Sequence, residues 1–230
     1  MNIIITRPLM DSEDLMRKFF SMGHKIIHLP TLKISPIKIN PIDGDEYDAF
    51  VFTSANAIRN LNLKNNNKNN LCFCVGSITE KIARQSGFVE TFSAGGTINA
   101  LKNLILDSDK INNKSKIGYI CGDNISYELD KDLEKEGLNV KKIINYSSEK
   151  ITDLNDENKK IIDKHPPDVI FIYSLRSAQS FIEIVKNYSL YPLMTGSKVM
   201  CISKKVAEIF NKEDWKKIGI FNPGEELLEL

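Results

Sequence analysis

The amino-acid sequence predicts an α/β fold of two similar domains, each a mainly parallel five-stranded sheet flanked by helices. Short apolar runs alternate with segments of helical periodicity, which is the pattern of a parallel sheet covered by helices. The pattern also repeats. Asp48–Ser54 and Asp168–Ser174 stand 120 positions apart, and each runs from an aspartate through an apolar strand to a hydroxyl residue. The plainer alternative, that all strand-helix units look alike, stays open at this point.

The strands are predicted where short runs rich in Ile, Val, Phe or Tyr stand between turn residues. In chain order they are Asn2–Thr6, Lys25–Leu29, Ala49–Thr53, Leu71–Val75, Val89–Phe92, Lys116–Cys121, Val140–Asn145, Val169–Tyr173, Val199–Ile202 and Ile218–Phe221.

Helices are predicted between these strands. Three of them precede a glycine, a residue that readily adopts the left-handed conformation closing a helix: Asp11–Met22 before Gly23, Ser77–Ser86 before Gly87, and Ser126–Glu136 before Gly137. Ser126 is also predicted to be an N-cap. The other predicted helices are Ala55–Leu63, Thr97–Leu106, Asp153–Lys164, Ser177–Asn187 and Lys204–Phe210.

Two segments break the alternation and are predicted to be extended. Pro30–Pro41 contains three prolines, which disfavour a helix and favour extended backbone at the preceding residues. Tyr146–Ile151 has a similar character. Two α/β repeats beside two extended segments indicate a bilobal molecule, and bilobal α/β proteins bind ligands in the cleft between their lobes.

Composition argues against several classes of function, although a local cluster of Lys and Arg could still form a basic cleft. The formal net charge of +1 over 230 residues gives no strong field toward nucleic acid or acidic membranes. No basic segment followed by a long apolar run opens the chain, and no apolar run approaches the roughly 18 residues of a membrane span. We therefore expect a cytoplasmic monomer with no nucleic-acid or membrane partner. In the reduced cytosol its cysteines stay unpaired; they are Cys72, Cys74, Cys121 and Cys201.

Candidate binding residues follow the predicted strands, because function in parallel sheets collects at the carboxyl ends of the strands. Most of these junctions carry a hydroxyl residue beside the N–H groups of the next helix, a combination suited to carboxylates. The junctions are Thr6-Arg7, Thr53-Ser54, Gly76-Ser77, Cys121-Gly122, Tyr173-Ser174 and Ser203-Lys204. At each single junction, the alternative role of the hydroxyl as a simple N-cap stays open.

Other chemistries lack a motif. Neither glycine-rich nucleotide-binding pattern is present, and the three histidines have no metal-ligand spacing with the cysteines. Cys72 and Cys74 alternate on one strand and are expected in a core or at an edge. An isolated carboxylate such as Asp123 is expected to be solvated or to cap backbone.

At these junctions the sequence resembles the uroporphyrinogen-III synthase family, in order and over nearly the whole chain. The matching pieces are Ile5–Pro8, Phe52–Ala57, Val75-Gly76 with Thr79 and Gly87, Gly122 with Leu129, Leu133 and Gly137, Tyr146, Tyr173-Ser174 with Ser177-Ala178 and Phe181, and Cys201–Ser203 with Val206-Ala207. The chain departs from the family at Cys121, where a basic residue is frequent, and at Ser126 and Tyr127, where arginine is frequent.

The resemblance implies a hydro-lyase of heme and tetrapyrrole biosynthesis. The family converts hydroxymethylbilane, a linear tetrapyrrole with eight carboxylates, to uroporphyrinogen III. Water is lost, ring D is inverted through a spiro intermediate, and the macrocycle closes in the inter-domain cleft. The family uses no cofactor and no metal.

The resemblance also implies the domain layout and the site. The family fold has two α/β domains joined by a two-stranded extended linker, which here assigns 1–33 with 152–230 to one domain, 38–147 to the other, and 34–37 and 148–151 to the linker. Tyr146 resembles the family tyrosine and is the expected proton donor to the leaving hydroxyl. The expected substrate-binding residues are Thr6, Arg7, Thr53, Ser54, Gly76, Gly122, Ser174 and Ser203. Packing of Tyr146 within the linker and a surface contact for Arg7 are the structural alternatives.

Two other functions stay open. A non-catalytic cytosolic binding or sensor protein for an anionic metabolite fits the same bilobal pattern. A two-domain glycosyltransferase is a second enzyme alternative, although the chain is short for that class and no nucleotide motif is present.

Overall fold

The computed structural model of the chain describes residues 1–65, 68–213 and 215–230. The chain divides into two compact units, the first made of Met1–Lys33 with Glu149–Leu230 and the second of Ile34–Ser148. This division assigns the predicted linker segment 34–37 to the second unit and splits 148–151 between the two. The domain bounds and the separate linker therefore stay a prediction.

The described strands follow the predicted order. They are β1 (Asn2–Ile5), β2 (Lys25–His28), β3 (Leu32–Pro36), β4 (Ala49–Phe52), β5 (Leu71–Cys74), β6 (Thr91–Ser93), β7 (Lys116–Gly122), β8 (Asn139–Lys150), β9 (Val169–Ile172), β10 (Lys198–Cys201) and β11 (Lys217–Ile220).

The described α-helices alternate with these strands. They are α1 (Leu9–Ser21), α2 (Ala55–Arg59), α3 (Ser77–Gln85), α4 (Ile98–Leu106), α5 (Leu129–Lys135), α6 (Asp156–Lys164), α7 (Leu175–Asn187), α8 (Tyr191–Met194) and α9 (Lys204–Asn211). Short 3₁₀ turns occupy Gly44–Glu46 and Glu226–Glu229. Within the three described stretches, no helix has both the length and the apolar character that crossing a membrane requires.

The first unit contains a parallel sheet in the order β11-β10-β9-β1-β2. Its central strands are buried on both faces because helices cover both sides. Ile4 belongs to a core with Phe181 and Trp215, whereas Ile3 faces a second core with Phe171. The sheet has the five strands that the sequence predicts, and the predicted α/β class is confirmed.

The second unit contains a sheet in the order β3-β8-β7-β4-β5-β6. Pairing is parallel from β8 through to β6. The prediction of five strands is wrong by one here, because β3 from the proline-rich segment joins the edge of the sheet beside β8. This is possible because β8 runs on to Lys150, well beyond its predicted end at Asn145.

Helix ends were predicted best where glycine closes them. Gly23, Gly87 and Gly137 have φ angles of +82°, +101° and +85°, as the closing residue of a helix requires. Ser126 is not an N-cap: α5 begins three residues later, after Glu128. Tyr127, which was predicted to lie in the helix, precedes it, and its hydroxyl donates to the Asp132 carboxylate of α5.

Two further corrections have local causes. Helix α2 stops at Arg59 instead of Leu63, because Asn62 turns to accept the Ile42 N–H (2.9 Å) and Leu63 forms a bridge with Ile42. Helix α8 was not predicted, although the proline in its first turn is well placed there, since that position needs no N–H donor.

Candidate functional site

Predicted site residues of the second unit lie along one edge of its sheet. Strands β7, β4 and β5 are neighbours and run parallel, so their carboxyl ends meet at the same edge. Gly122 ends β7, Thr53 and Ser54 follow β4, and Gly76 lies just beyond β5. The sequence therefore selected residues that the fold brings side by side.

Tyr146 lies directly against Gly122. The two residues are paired across β8 and β7 at a register shift between Cys121 and Gly122. A Cβ atom on Gly122 would stand 2.6 Å from Cζ of the Tyr146 ring, so only glycine leaves room for the phenol. The half-buried Tyr146 thus belongs to the same edge as the candidate binding residues.

The hydroxyl residues after β4 are held by specific partners. Thr53 Oγ1 is 3.2 Å from the Tyr119 hydroxyl, and Ser54 Oγ accepts the Asn56 N–H at 3.2 Å as the N-cap of α2. Burial raises the pKa of the Tyr119 hydroxyl, so this phenol stays protonated at neutral pH. Sequence reasoning missed Tyr119. The available signal was an aromatic hydroxyl within a buried strand, which needs a partner.

Gly76 lies at a close approach of two backbone segments. It is the N-cap of α3 and caps it without a side chain. A Cβ on Gly76 would stand 3.4 Å from the Cα of Gly96, whose N–H donates to Val75 O at 2.6 Å. Because Gly76 has no side chain, no capping side chain accepts the N–H groups at the start of α3.

Predicted residues of the first unit lie along the corresponding edge of its sheet. Strands β10, β9 and β1 are parallel neighbours, and Ser203, Ser174 and Arg7 come just after them. Ser174 Oγ accepts the Ser177 N–H (3.0 Å) as the N-cap of α7. Ser203 Oγ accepts the Val206 N–H (3.4 Å) as the N-cap of α9. Both serines are half-buried, and they cap helices whose N-termini favour anions.

Thr6 differs from the other hydroxyl residues because its side chain points into the unit. It is 1% exposed, and its Oγ1 donates to Phe171 O at 2.7 Å. The same oxygen accepts from Ser177 Oγ at 3.1 Å, and Ser177 Oγ lies 2.6 Å from Thr31 Oγ1. The Thr6 hydroxyl is thus engaged in a buried network, and its assignment to substrate binding stays a prediction.

Arg7 stacks on an aromatic ring at this edge. Its guanidinium carbon is 4.6 Å from the centroid of Tyr173, and its carbonyl oxygen lies 2.9 Å from His28 Nε2. Burial, together with the nearby Glu226 carboxylate, raises the pKa of the Tyr173 hydroxyl. Glu226 is 3% exposed and belongs to the C-terminal 3₁₀ turn. No sequence pattern pointed to Glu226, because it follows no strand and matches no motif.

The four cysteines lie in the interior of the two units. All four are free and buried, and the Sγ atoms of Cys72 and Cys74 are 3.7 Å apart. Burial raises the pKa of Cys121 to about 11 and that of Cys201 to about 12, which keeps both thiols protonated and unreactive. Over the described residues, no group of three His, Cys, Asp or Glu side chains is placed to hold a metal ion.

The family comparison covers most of the chain. A family model described as uroporphyrinogen-III synthase HemD matches residues 13–220. No curated protein matches the sequence.

Solved structures are similar to this chain over nearly its whole length. Uroporphyrinogen-III synthetase from Helicobacter pylori is 16% identical, with 99% of this chain and 96% of that chain covered and a TM-score of 0.65. A mutant uroporphyrinogen III synthase from the extremely thermophilic bacterium Thermus thermophilus is 12% identical, with the same coverage and a TM-score of 0.57. At these identities the structural likeness shows the shared α/β fold.

Proposed function

The chain belongs to the uroporphyrinogen-III synthase family, and we propose that it converts hydroxymethylbilane to uroporphyrinogen III with loss of water and inversion of ring D. Membership makes it a lyase-type cyclase that acts on a small tetrapyrrole. The hydro-lyase assignment belongs to the proposal. The observation that carries the proposal is the family match over residues 13–220.

We propose that substrate carboxylates bind along the carboxyl edges of the two sheets. In the second unit the groups would be the hydroxyls of Thr53 and Ser54 and the backbone N–H groups at Gly76 and Gly122. In the first unit they would be the hydroxyls of Ser174 and Ser203, the guanidinium of Arg7 and the backbone at Thr6. Supporting this, the serines already cap helix N-termini, where the N–H groups and the helix dipole both favour anions.

Tyr146 is the proposed proton donor. A tyrosine hydroxyl is ordinarily protonated at neutral pH, so it can donate its proton to the leaving hydroxyl, which departs as water. The cationic azafulvene-type intermediate then closes through the spiro species. The proton returns to the phenolate when the new macrocycle loses a proton from its pyrrole carbon. The position of Tyr146 against Gly122, at the edge that carries Thr53 and Ser54, supports this role.

Conformational control is the larger part of the proposed catalysis. The activated bilane closes without inversion on its own, so the enzyme must hold one geometry and stabilise the developing positive charge. Fixed hydroxyls on rigid strand ends serve the first need. Following the family resemblance, we further propose that the enzyme needs no cofactor or metal. We also propose that it works as a cytoplasmic monomer.

A coupled assay tests the proposal. Hydroxymethylbilane is generated in place, the purified protein is added, and the oxidised porphyrin isomers are separated by chromatography. We expect mostly isomer III. Isomer I alone, from protein with a native circular dichroism spectrum, would overturn the proposal and favour the non-catalytic binding protein.

A further inference from the structure

Asp123 makes two hydrogen bonds to β8, one at Tyr146 and one just after it. Its backbone N–H donates to Tyr146 O at 3.0 Å, and its Oδ1 accepts the Ser148 N–H at 3.0 Å. One exposed residue therefore bonds β8 at Tyr146 itself and two positions further on. The carboxylate is engaged in the cap-like contact that the sequence suggested for it.

These two bonds replace a strand that has ended. The pairing of β7 with β8 ends at Gly122 and Tyr146, with a register shift just before it. Beyond this pair, β7 forms no further strand pairing with β8. Asp123 instead makes one backbone and one side-chain hydrogen bond to β8. Because residues next to a bulge re-aim side chains, the exact course of β8 here decides where the phenol points.

The preceding residue supports the ring itself. Gly122 is buried, and a Cβ there would overlap Cζ, Cε2 and Oη of Tyr146 at 2.6, 2.7 and 2.9 Å. The ring thus lies on the bare Cα of Gly122, while Asp123 fixes the backbone that carries the ring. Gly122 therefore contacts the ring of Tyr146, and Asp123 bonds its backbone.

We propose that Asp123 is a positioning residue that acts through Tyr146, with Gly122 as the surface on which the phenol rests. This inference depends on the proposed function of Tyr146 as proton donor. Asp123 itself touches no reacting atom. It keeps the phenol oxygen where the leaving hydroxyl arrives, and small displacements of a catalytic group reduce rate strongly.

The kinetic test compares two substitutions with a matched control. Asp123→Ala removes the acceptor of the Ser148 N–H, and Asp123→Asn keeps an oxygen acceptor at the same place. The control is Asp43→Ala, which removes a carboxylate that likewise accepts one backbone N–H, from Asp45 at 3.2 Å, elsewhere in the same unit.

We expect Asp123→Ala to lower kcat by about threefold to tenfold, the worth of one hydrogen bond of ordinary net strength at an exposed site, and to change KM by less than about twofold. Asp123→Asn should recover most of the loss, and Asp43→Ala should leave kcat unchanged. In a Tyr146→Phe background, Asp123→Ala should cost no further activity, because a positioning residue matters only through the group it positions. The inference would be overturned if Asp123→Ala and Asp43→Ala had equal kcat. It would also be overturned if Asp123→Ala lowered kcat as much in the Tyr146→Phe background as in the wild type.

A second readout does not depend on turnover. The protein is labelled with 3-fluorotyrosine, and the ¹⁹F resonance of position 146 is assigned as the one missing from Tyr146→Phe. We expect Asp123→Ala to shift or broaden that resonance and Asp43→Ala to leave it in place. If wild-type protein makes no isomer III, the proposed function fails while this spectrum still decides whether Asp123 positions the ring. A resonance at 146 that is unchanged in Asp123→Ala would refute the positioning role whatever the activity.

Discussion

Ser180 offers the clearest stability prediction, because its hydroxyl bonds two neighbouring segments of the first unit. Ser180 lies on α7 and is fully buried. Its Oγ is 2.9 Å from Thr31 O and 2.5 Å from Ile151 O. Thr31 O also accepts the Ile151 N–H at 2.9 Å and so keeps a donor when the hydroxyl is removed. Ile151 O is the carbonyl that loses its hydrogen bond from Ser180. The substitution Ser180→Ala removes this donor and keeps the helix propensity high.

The magnitude follows from one lost hydrogen bond and one under-satisfied buried carbonyl. Together these cost about 1–2 kcal/mol of the free energy of unfolding. With a urea dependence of about 2 kcal/mol/M, the unfolding midpoint should fall by about 0.5–1 M. The only tryptophan of the chain, Trp215, reports on this unit. It is 4% exposed, and its ring lies 6.1 Å from that of Phe181, the residue next to Ser180.

The control is Ser21→Ala, which removes an exposed hydroxyl that donates to Lys18 O at 2.8 Å in α1 of the same unit. We expect its midpoint to stay close to wild type, since exposed groups find water as an alternative partner. If Ser180→Ala and Ser21→Ala have the same midpoint by tryptophan fluorescence, the buried hydroxyl contributes nothing and the reasoning is refuted.

Two further predictions concern the second unit. Tyr146→Phe should lower turnover at least several-fold in the coupled assay while the protein stays folded; kinetics equal to wild type would remove Tyr146 from the mechanism. Gly118→Ala should lower the free energy of unfolding by about 1–3 kcal/mol, because the added Cβ would stand 2.8 Å from a buried phenylalanine ring. The matched variant Gly196→Ala adds its Cβ where no other atom lies within 4 Å, and denaturation curves that coincide for the two variants would contradict this account.

Regular elements were predictable where local rules and tertiary packing agree. The predicted strand Lys116–Cys121 matches β7 to within one residue, because both faces of a central parallel strand are buried and the run is continuously apolar. The helix ends at Gly23 and Gly137 were predictable because the left-handed conformation needs glycine. These features depend on residues that are adjacent in the sequence and do not require a distant partner.

Elements decided by distant partners were not predictable. The segment Tyr146–Ile151 was predicted to be extended, but its residues do not show that it continues β8 to Lys150 within the same sheet as β7. Strand β6 begins at Thr91, whereas Val89 of the predicted strand is 69% exposed, since propensity does not say which residues find a pairing partner.

The candidate site shows the same division. The rule that function lies at strand ends selected Thr53 and Gly122, and the fold does place them at one edge. The rule could not find Tyr119, which approaches Thr53 from a neighbouring strand, or Asp123, which acts on a chain segment 25 residues away. Such contacts depend on strand order and register, and a single sequence does not contain them.

The strand-end hydroxyls also show why capping and ligand binding need not be rival roles. As N-caps, Ser174 and Ser203 accept a backbone N–H with an oxygen lone pair, and a serine hydroxyl in that role still carries a proton to donate. A carboxylate is the natural acceptor at a helix N-terminus, because the adjacent N–H groups and the helix dipole favour negative charge there. Thr6 stands at an equivalent position in the sequence but donates its proton inward to Phe171 O. The direction of the hydroxyl proton, which the pattern of residues does not contain, therefore distinguishes the Thr6 hydroxyl, which donates within the unit, from the capping serines, whose protons are not used by the cap.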